Sequence, residues 1–207
     1  MKLDIINIEE EEDKANSVLT NEANIVTFPL SALDQEIIQT MQEMLYKLEG
    51  VGLAATQVNI NKKIALIYIP DSAALLREDI RTYPMHTIIN PEYIGIEEAP
   101  KVSDFEGCYS VKHTYGKVLR YQAIQVKYQN IIGETIEETV SGFYARVLQH
   151  EIDHLNGLLI TDRLTPDCLQ GTFEEMLEIR RQELPIDKQK QLDELIKDKK
   201  MSSKDKK

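Results

Sequence analysis

The chain has only two cysteines and no long hydrophobic run. Two cysteines cannot form a disulfide framework, and in a reducing cytosol each thiol is free to act as a metal ligand. No apolar stretch approaches the roughly 20 residues that a transmembrane helix requires. The apolar start of the chain is short and interrupted by acidic residues, unlike a secretory signal. We therefore expect a cytoplasmic protein that does not enter a membrane.

Linkers, repeats and positive charge are also scarce. No segment rich in glycine, serine or proline divides the 207 residues, and no internal repeat occurs. A chain of this length without a linker is expected to form a single domain. Its net charge of -11 argues against general nucleic-acid binding, and we expect no specific nucleic-acid partner.

The charge is concentrated at the two ends of the chain. Residues 9–13 read EEEED, and residues 197–207 carry six lysines against two aspartates. The simplest interpretation is that both ends are solvated termini. The alternative for the second is that the lysine-rich tail binds ribosomal RNA and tethers an otherwise acidic protein to the ribosome.

Apolar spacing predicts helices and strands in a definite order. A helix is expected over residues 31–48, with Leu33 on its apolar face, Ser31 and Asp34 as a capping box and Gly50 as its stop. Helical spacing recurs over residues 141–156 and 172–184. Strands are expected over residues 63–69, 86–96 with a break at Pro91, 118–130 and 131–140. This order indicates an α+β fold with antiparallel or mixed β-sheets around a central helix, and a further helix at the C-terminus.

The central predicted helix contains the sequence HEIDH, which is typical of a metal site. His150 and His154 lie four residues apart, so both imidazoles project from one face and can bind a single ion. Glu151 lies beside them, where it can act on a water ligand. A purely structural zinc site is the alternative. Asp153 is expected to cap the helix or to face solvent.

Two histidines do not complete a catalytic metal site, which usually has three protein ligands and a water. No third histidine follows in HEIDHLNGLLITDR, so the remaining ligand must come from elsewhere in the chain. Cys108, in FEGCYSV, is a candidate, although a lone cysteine can also be an inert buried residue.

The segment GVGLAATQ, residues 50 to 57, is the third unusual stretch. Its two glycines and two alanines form a tight turn with little side-chain bulk before Gln57. It lacks the third glycine of a dinucleotide-binding loop and the Gly-Lys of a phosphate loop. A plain helix stop before a strand is the alternative.

Taken together in this order, GVGLAATQ, EGCYS and QHEIDHLNG resemble the three signatures of peptide deformylase. The resemblance covers about residues 30–165 and includes IINPEY, Arg120-Tyr121 and GFYARVLQHE. It predicts a variable N-terminal segment at residues 1–25, a catalytic domain at residues 26–170, and a C-terminal helix with a lysine-rich tail at residues 171–207.

The resemblance implies a metal-dependent hydrolase that removes the N-formyl group from the formylmethionine of newly synthesised polypeptides. It implies that Cys108, His150 and His154 bind Fe2+, for which Zn2+, Ni2+ or Co2+ can substitute. Metal-bound hydroxide is expected to attack the formyl carbon. Glu151 then acts as general base and afterwards as general acid.

The resemblance also implies how the substrate is held. The side-chain amide of Gln57 and the backbone N–H of Tyr109 are expected to stabilise the oxyanion. The peptide is expected to bind as an added strand. The residues expected to contact it are Gly50, Val51, Gly52, Gly107, Phe143 and Val147, with Val51, Phe143 and Val147 forming the methionine pocket.

The sequence departs from the family pattern at the rim of the expected cleft. Tyr109 stands where the family usually has leucine, and Lys112 stands where it usually has proline. Two rival functions remain open at this point. One is a protease of the zinc type that shares the HEIDH helix, and the other is a silent relative kept as a binding module.

Overall fold

The computed structural model of the protein describes residues 1–75, 77 and 80–204. The α-helices are α1 (Ala32–Leu48), α2 (Gly142–Leu155), α3 (Ile160–Arg163), α4 (Phe173–Glu183) and α5 (Ile186–Lys204). The strands are β1 (Gly52–Ala54), β2 (Ile64–Ile69), β3 (Tyr83–Gly95), β4 (Lys101–Cys108), β5 (Val111–Tyr121), β6 (Ala123–Gln129), β7 (Thr135–Ser141) and β8 (Gln170–Gly171). Short 3-10 helices cover Lys14–Asn16, Ala55–Val58 and Asp71–Leu75.

The strands form two antiparallel sheets, and α2 packs against both. One sheet has the order β1-β2-β3-β6-β7 and the other has the order β4-β5-β8. Helix α2 contacts β1, β2 and β7 of the first sheet and β5 of the second. The predicted α+β class with a central helix is therefore confirmed, and the pairings among the described strands are antiparallel rather than mixed.

The core follows from the apolar face of α2. Leu148, Ile152 and Leu155 are buried against β2, β3 and β6. Burying a side chain of this size contributes about 1.5–3 kcal/mol relative to leaving it exposed. The face of α2 that carries the histidines can therefore be polar without loss of the helix.

No helix within the described residues combines the length and apolar composition needed to span a membrane.

Helix α1 begins as predicted but buries a narrower face. The backbone N–H of Asp34 donates to Ser31 Oγ at 3.1 Å, and the Ser31 N–H donates to Asp34 Oδ2 at 3.2 Å. Leu33, however, is 53% exposed, because it lies in the first turn and away from the sheet. The helix ends at Glu49, which adopts a left-handed conformation, one residue before the expected stop at Gly50.

The strands at Pro91 and Gln122 differ from the prediction. β3 continues through Pro91, and its register shifts between Ile89 and Glu92, as in a β-bulge. Proline is tolerated there because a bulge needs no donor from it. The predicted strand over residues 118–130 is the end of β5 and all of β6, which belong to different sheets. Apolar and polar residues alternate equally well in both halves. The hydrophobic pattern therefore did not reveal that the chain passes from one sheet to the other at Gln122.

Strand β4 was not predicted, although it carries Cys108 at its end. Its sequence is rich in charged and polar residues, and most of its side chains are exposed or only half-buried. The strand is held by its pairing with β5 over Lys101–Cys108 and by ion pairs made by its acidic side chains. Hydrophobic alternation therefore could not identify it.

The N-terminal segment packs onto the rest of the chain. The N–H of Ile6 donates to the Gln57 carbonyl at 2.9 Å, and the N–H of Ile8 donates to the Ser110 carbonyl at 3.0 Å. Leu19 and Ala23 are buried. Residues 1–25 thus support the two loops that hold Gln57 and Cys108, and the predicted boundary at residue 25 stays a proposal.

Candidate active site

Three potential metal ligands converge between β4 and α2. Their donor atoms, Cys108 Sγ and a ring nitrogen each of His150 and His154, all lie within 4.8 Å of one another. His154 Nε2 is 3.2 Å from Cys108 Sγ and 3.2 Å from His150 Nε2. The helix supplies both imidazoles by their spacing of four residues, and the end of β4 supplies the thiol. Residues distant in sequence are therefore brought together as the sequence analysis expects.

The surroundings of the ligands suit a bound cation. The Cys108 sulfur accepts from the Ser110 N–H at 3.4 Å and from Gln57 Nε2 at 3.5 Å. Burial, followed by the charges of His150 and Arg120, lowers the pKa of His154 well below its ordinary value. A neutral imidazole has the free lone pair that a metal requires.

Glu106 orients His150 and joins it to a buried ion-pair network. Its Oε2 lies 2.9 Å from His150 Nδ1, which leaves Nε2 of that ring facing the other ligands. Arg120 makes two hydrogen bonds to the same carboxylate, at 2.8 and 2.9 Å, and Arg146 adds one at 2.6 Å. Burial raises the pKa of Glu106, but Arg120 and then His150 outweigh it, so the pKa lies well below its ordinary value.

The expectation for Asp153 was wrong. Its side chain is buried and accepts hydrogen bonds from Arg120 at 2.5 Å and from Arg163 at 2.6 and 3.0 Å. It therefore anchors the arginine that holds Glu106, instead of capping the helix or facing solvent. Sequence reasoning assigned no role to Glu106, although it adjoins Gly107 and Cys108 in the quoted EGCYS segment.

Glu151 is buried beside the ligands, and one carboxylate oxygen is without a partner among the described residues. Its exposure is 3%, and Oε2 makes no hydrogen bond there. Burial raises the pKa of Glu151 to about 7, with Glu106 adding to the effect and His150 opposing it. A Cβ atom at Gly52 would overlap the Glu151 carboxylate. The glycine of the GVGLAATQ turn is therefore needed to admit this side chain.

The Gln57 amide is fixed by the turn that carries it. Its Oε1 accepts from the Ala54 N–H at 2.9 Å, which turns Nε2 toward the Cys108 sulfur. Because the amide has two donor hydrogens, one remains for a substrate oxygen.

Tyr109 follows Cys108, and its phenol folds back onto the loop after α1. Its hydroxyl donates to the Leu48 carbonyl at 3.4 Å, and a Cβ at Gly50 would overlap that hydroxyl. Burial, and then the charges of Glu151 and Cys108, raise the pKa of the Tyr109 phenol to about 12. The large side chain that departs from the family pattern thus closes one side of the site.

A continuous cleft of about 1410 Å³ opens beside the metal ligands. All the residues expected to contact substrate line it, namely Gly50, Val51, Gly52, Gly107, Phe143 and Val147. The Arg77 guanidinium stacks over the Phe143 ring at 4.1 Å, which sequence analysis did not anticipate. Three residues of α5 also line the cleft: Gln191, Leu192 and Leu195.

Known proteins are similar to this chain in sequence and in fold. The family model described as Polypeptide deformylase matches residues 5–169. A peptide deformylase of Thermotoga maritima is 38% identical over 141 residues, which are 67% of this chain and 78% of that protein. Peptide deformylase 2 of Rickettsia conorii is 37% identical over 185 residues, covering 86% of this chain and 88% of that protein.

A solved structure agrees with these relatives. The crystal structure of peptide deformylase from Thermotoga maritima matches with a TM-score of 0.65 and 34% identity, over 80% of this chain and 99% of that one. The matched residues 5–169 include the three metal-ligand candidates, Glu151 and Gln57. The chain belongs to the polypeptide deformylase family.

Proposed function

We propose that this site removes the N-formyl group from the formylmethionine of newly synthesised polypeptides, with Cys108, His150 and His154 holding the metal. Family membership makes the chain a peptide deformylase, and the observation that supports the residue roles is the convergence of these ligands with Glu151 and Gln57.

The donor set fits a transition metal. One sulfur and two imidazole nitrogens favour Fe2+, Co2+, Ni2+ or Zn2+ over Mg2+ or Ca2+, which prefer oxygen ligands. We propose Fe2+ as the resident ion, with the others as substitutes. When bound, the ion supplies Lewis acidity, which lowers the pKa of a coordinated water and polarises the formyl carbonyl.

Glu151 is proposed as the group that moves the proton. A carboxylate with a pKa of about 7 is a competent base at neutral pH and becomes a competent acid once it is protonated. Its Oε2, which makes no hydrogen bond to any described residue, is proposed to accept a proton from the attacking water. The same oxygen then delivers that proton to the amine that leaves as the C–N bond of the formamide breaks.

Gln57 and Tyr109 are proposed to stabilise the developing oxyanion. The Gln57 amide is preorganised by its bond to the Ala54 N–H, so little reorganisation is needed when charge develops. The backbone N–H of Tyr109 lies next to the Cys108 ligand and is proposed as the second donor. The tyrosine side chain takes no part, because its hydroxyl is directed to the Leu48 carbonyl.

The substrate peptide is proposed to lie between the GVGLAATQ turn and the end of β4. Gly50, Gly52 and Gly107 line the cleft, and their backbones are proposed to pair with the peptide as in strand addition. Val51, Phe143 and Val147 line the cleft near the ligands and are proposed as the methionine pocket. Arg77 covers the Phe143 ring and forms the outer side of this pocket.

The most direct functional test is turnover of formyl-Met-Ala-Ser by protein purified without oxygen, with metal analysis of the same sample. The expected product by mass spectrometry is Met-Ala-Ser together with formate. Cleavage of internal peptide bonds would favour the protease alternative, against which the absence of a third histidine in HEIDHLNGLLITDR argues. Metal binding without any turnover would favour the silent binding module.

We also propose a cytoplasmic location and retain the lysine-rich tail as a ribosome tether. Residues 205–207 and the side chains of residues 198–204 lie outside the described part of the structure. Removal of residues 197–207 is expected to weaken cosedimentation with ribosomes, because the remaining protein is acidic. Unchanged cosedimentation would refute the tether.

A further inference from the structure

Helix α5 forms part of the wall of the catalytic cleft. It begins at Ile186, well beyond residues 5–169 that match the family model. Three of its side chains line the same cleft as the metal ligands: Gln191, Leu192 and Leu195. A surface that the family match does not include is therefore continuous with the site of the reaction.

The helix is held in this place by specific contacts. Leu192 is only 3% exposed. Arg181 of α4 makes two hydrogen bonds to the Asp193 carboxylate, at 2.7 and 2.8 Å. The Lys188 ammonium donates to the Arg77 carbonyl at 2.9 Å. These bonds join α5 both to the helix before it and to Arg77, which stacks on Phe143 of the proposed methionine pocket.

Arg77 shows on which side of that pocket α5 lies. Its carbonyl faces Lys188 of α5, whereas its guanidinium stacks on Phe143 and donates to the Phe105 carbonyl at 2.8 Å. Arg77 thus stands between Lys188 of α5 and Phe143 of the proposed methionine pocket.

Two of the three α5 side chains in this wall, Leu192 and Leu195, are apolar, and the third is Gln191. Leu195 is 43% exposed and stands in the cleft beside Leu192, so contact with an apolar ligand removes leucine surface from water. Two cations that line the cleft are already paired with acidic side chains, since Arg77 pairs with Asp104 and Lys112 pairs with Glu10. An apolar side chain is therefore favoured over an acidic one at this wall.

We propose that α5 binds the part of the formylated peptide that follows methionine and selects apolar side chains there. This inference rests on the proposed function, because the same cleft must hold the peptide. The occupant is an extended peptide, since it enters from the catalytic centre with which the wall is continuous. Helix α5 is thus a specificity-determining element, and it takes no part in the chemical step.

The test is Leu195→Asp in the full-length protein, with Ile186→Asp as its matched control. Ile186 lies on the same helix, is 72% exposed and is not part of the cleft lining. Substrates are formyl-Met-Ala, and formyl-Met-Ala-Ser extended by two leucines or by two lysines. Binding of the corresponding unformylated peptides is measured in parallel, so that the wall is tested independently of turnover.

The expected result is a change in peptide preference with kcat unaltered. Leu195→Asp should raise KM for the leucine peptide about fivefold, leave formyl-Met-Ala unchanged and lower KM for the lysine peptide. Ile186→Asp should leave all three values unchanged. If α5 had a purely structural role, Leu195→Asp would not change the preference of the enzyme from the leucine peptide to the lysine peptide.

Several results would overturn the inference. These are an equal rise in KM for the short and long peptides, no change in any KM, or self-association of the wild type that Leu195→Asp abolishes without a change in KM. If the wild type deformylated none of the peptides, the proposed function would fail, and the binding measurements would still decide the role of α5.

Discussion

At the scale of single residues, the site combines a proposed base with a raised pKa, Glu151, and an orienting carboxylate with a lowered pKa, Glu106. Glu151 and Glu106 are both buried, so burial raises the pKa of each. Glu106 accepts hydrogen bonds from Arg120 and Arg146, which keep it ionised, whereas no arginine within the described part of the chain donates to Glu151 Oε2. Two carboxylates in opposite environments can therefore perform two different tasks.

Glu151→Gln separates proton transfer from metal binding. We expect kcat to fall by about 10²–10⁴, the range for loss of a general acid–base group. Metal content should not change, because the three ligands remain. The folded state should not be destabilised near neutral pH, since burial disfavours the ionised carboxylate that the amide replaces. A variant as fast as the wild type would refute the proton-transfer role.

Glu106→Gln tests the orienting network. It leaves Arg120 and Arg146 without their shared carboxylate, which is expected to cost about 3–5 kcal/mol in urea unfolding. Metal affinity should fall by about 10–100-fold, because His150 loses its orienting partner. The control is Glu137→Gln at the exposed Lys127 pair, where the expected loss is below about 1 kcal/mol. Equal effects at the two positions would argue against the network.

At the scale of elements, the sequence predicted those features whose geometry is decided within a single helix. The spacing of His150 and His154 and the capping box of α1 each lie within one helix, where a few neighbouring residues decide the geometry. β4 was missed because its charged side chains are satisfied by ion pairs with distant arginines. The transition from β5 to β6 was missed because alternation continues across Gln122 while the sheet changes.

The capping box of α1 gives a pH-dependent prediction. Burial raises the pKa of Asp34, but Lys62 and Ser31 outweigh it, so the pKa lies below its ordinary value of 3.8. The stabilisation is therefore present above about pH 3.8 and is lost as the pH falls through the lower pKa of the folded state. Asp34→Asn should cost about 1 kcal/mol at pH 7.

The unfolding free energies of the wild type and Asp34→Asn are compared by urea unfolding at several pH values. The control is Glu43→Gln, at an exposed position of the same helix. The difference between wild type and Asp34→Asn should shrink in acid, while the control stays close to the wild type throughout. A constant difference down to pH 3 would show that the charge of Asp34 contributes nothing.

At the scale of the whole molecule, the active site is an assembly of distant segments. One cleft is lined by residues of four segments: the GVGLAATQ turn, β4, α2 and α5. The N-terminal segment supports this cleft through backbone hydrogen bonds to Gln57 and Ser110. The convergence of Cys108 with the two histidines was expected from the family resemblance, whereas spacing alone left the third ligand open. The place of α5 depends on contacts such as Lys188 with Arg77, which no local pattern encodes.

Metal binding should stabilise the whole molecule, because the three ligands are held together only in the folded state. At a free metal concentration one hundred times Kd, the expected gain in unfolding free energy is about 2.7 kcal/mol. Urea unfolding with metal and with chelator measures this gain. Cys108→Ser should abolish most of it, whereas Cys168→Ser, outside the cleft, should retain it. An undiminished gain in Cys108→Ser would contradict ligation by that sulfur.

X-ray absorption spectroscopy of the metal-loaded protein tests ligation most directly, because it counts the sulfur and nitrogen neighbours of the ion. For the zinc form we expect one sulfur at about 2.3 Å and two imidazole nitrogens at about 2.0–2.1 Å, with the sulfur absent in Cys108→Ser. A wild-type spectrum without a sulfur neighbour, or with only one imidazole, would contradict a site built from Cys108, His150 and His154.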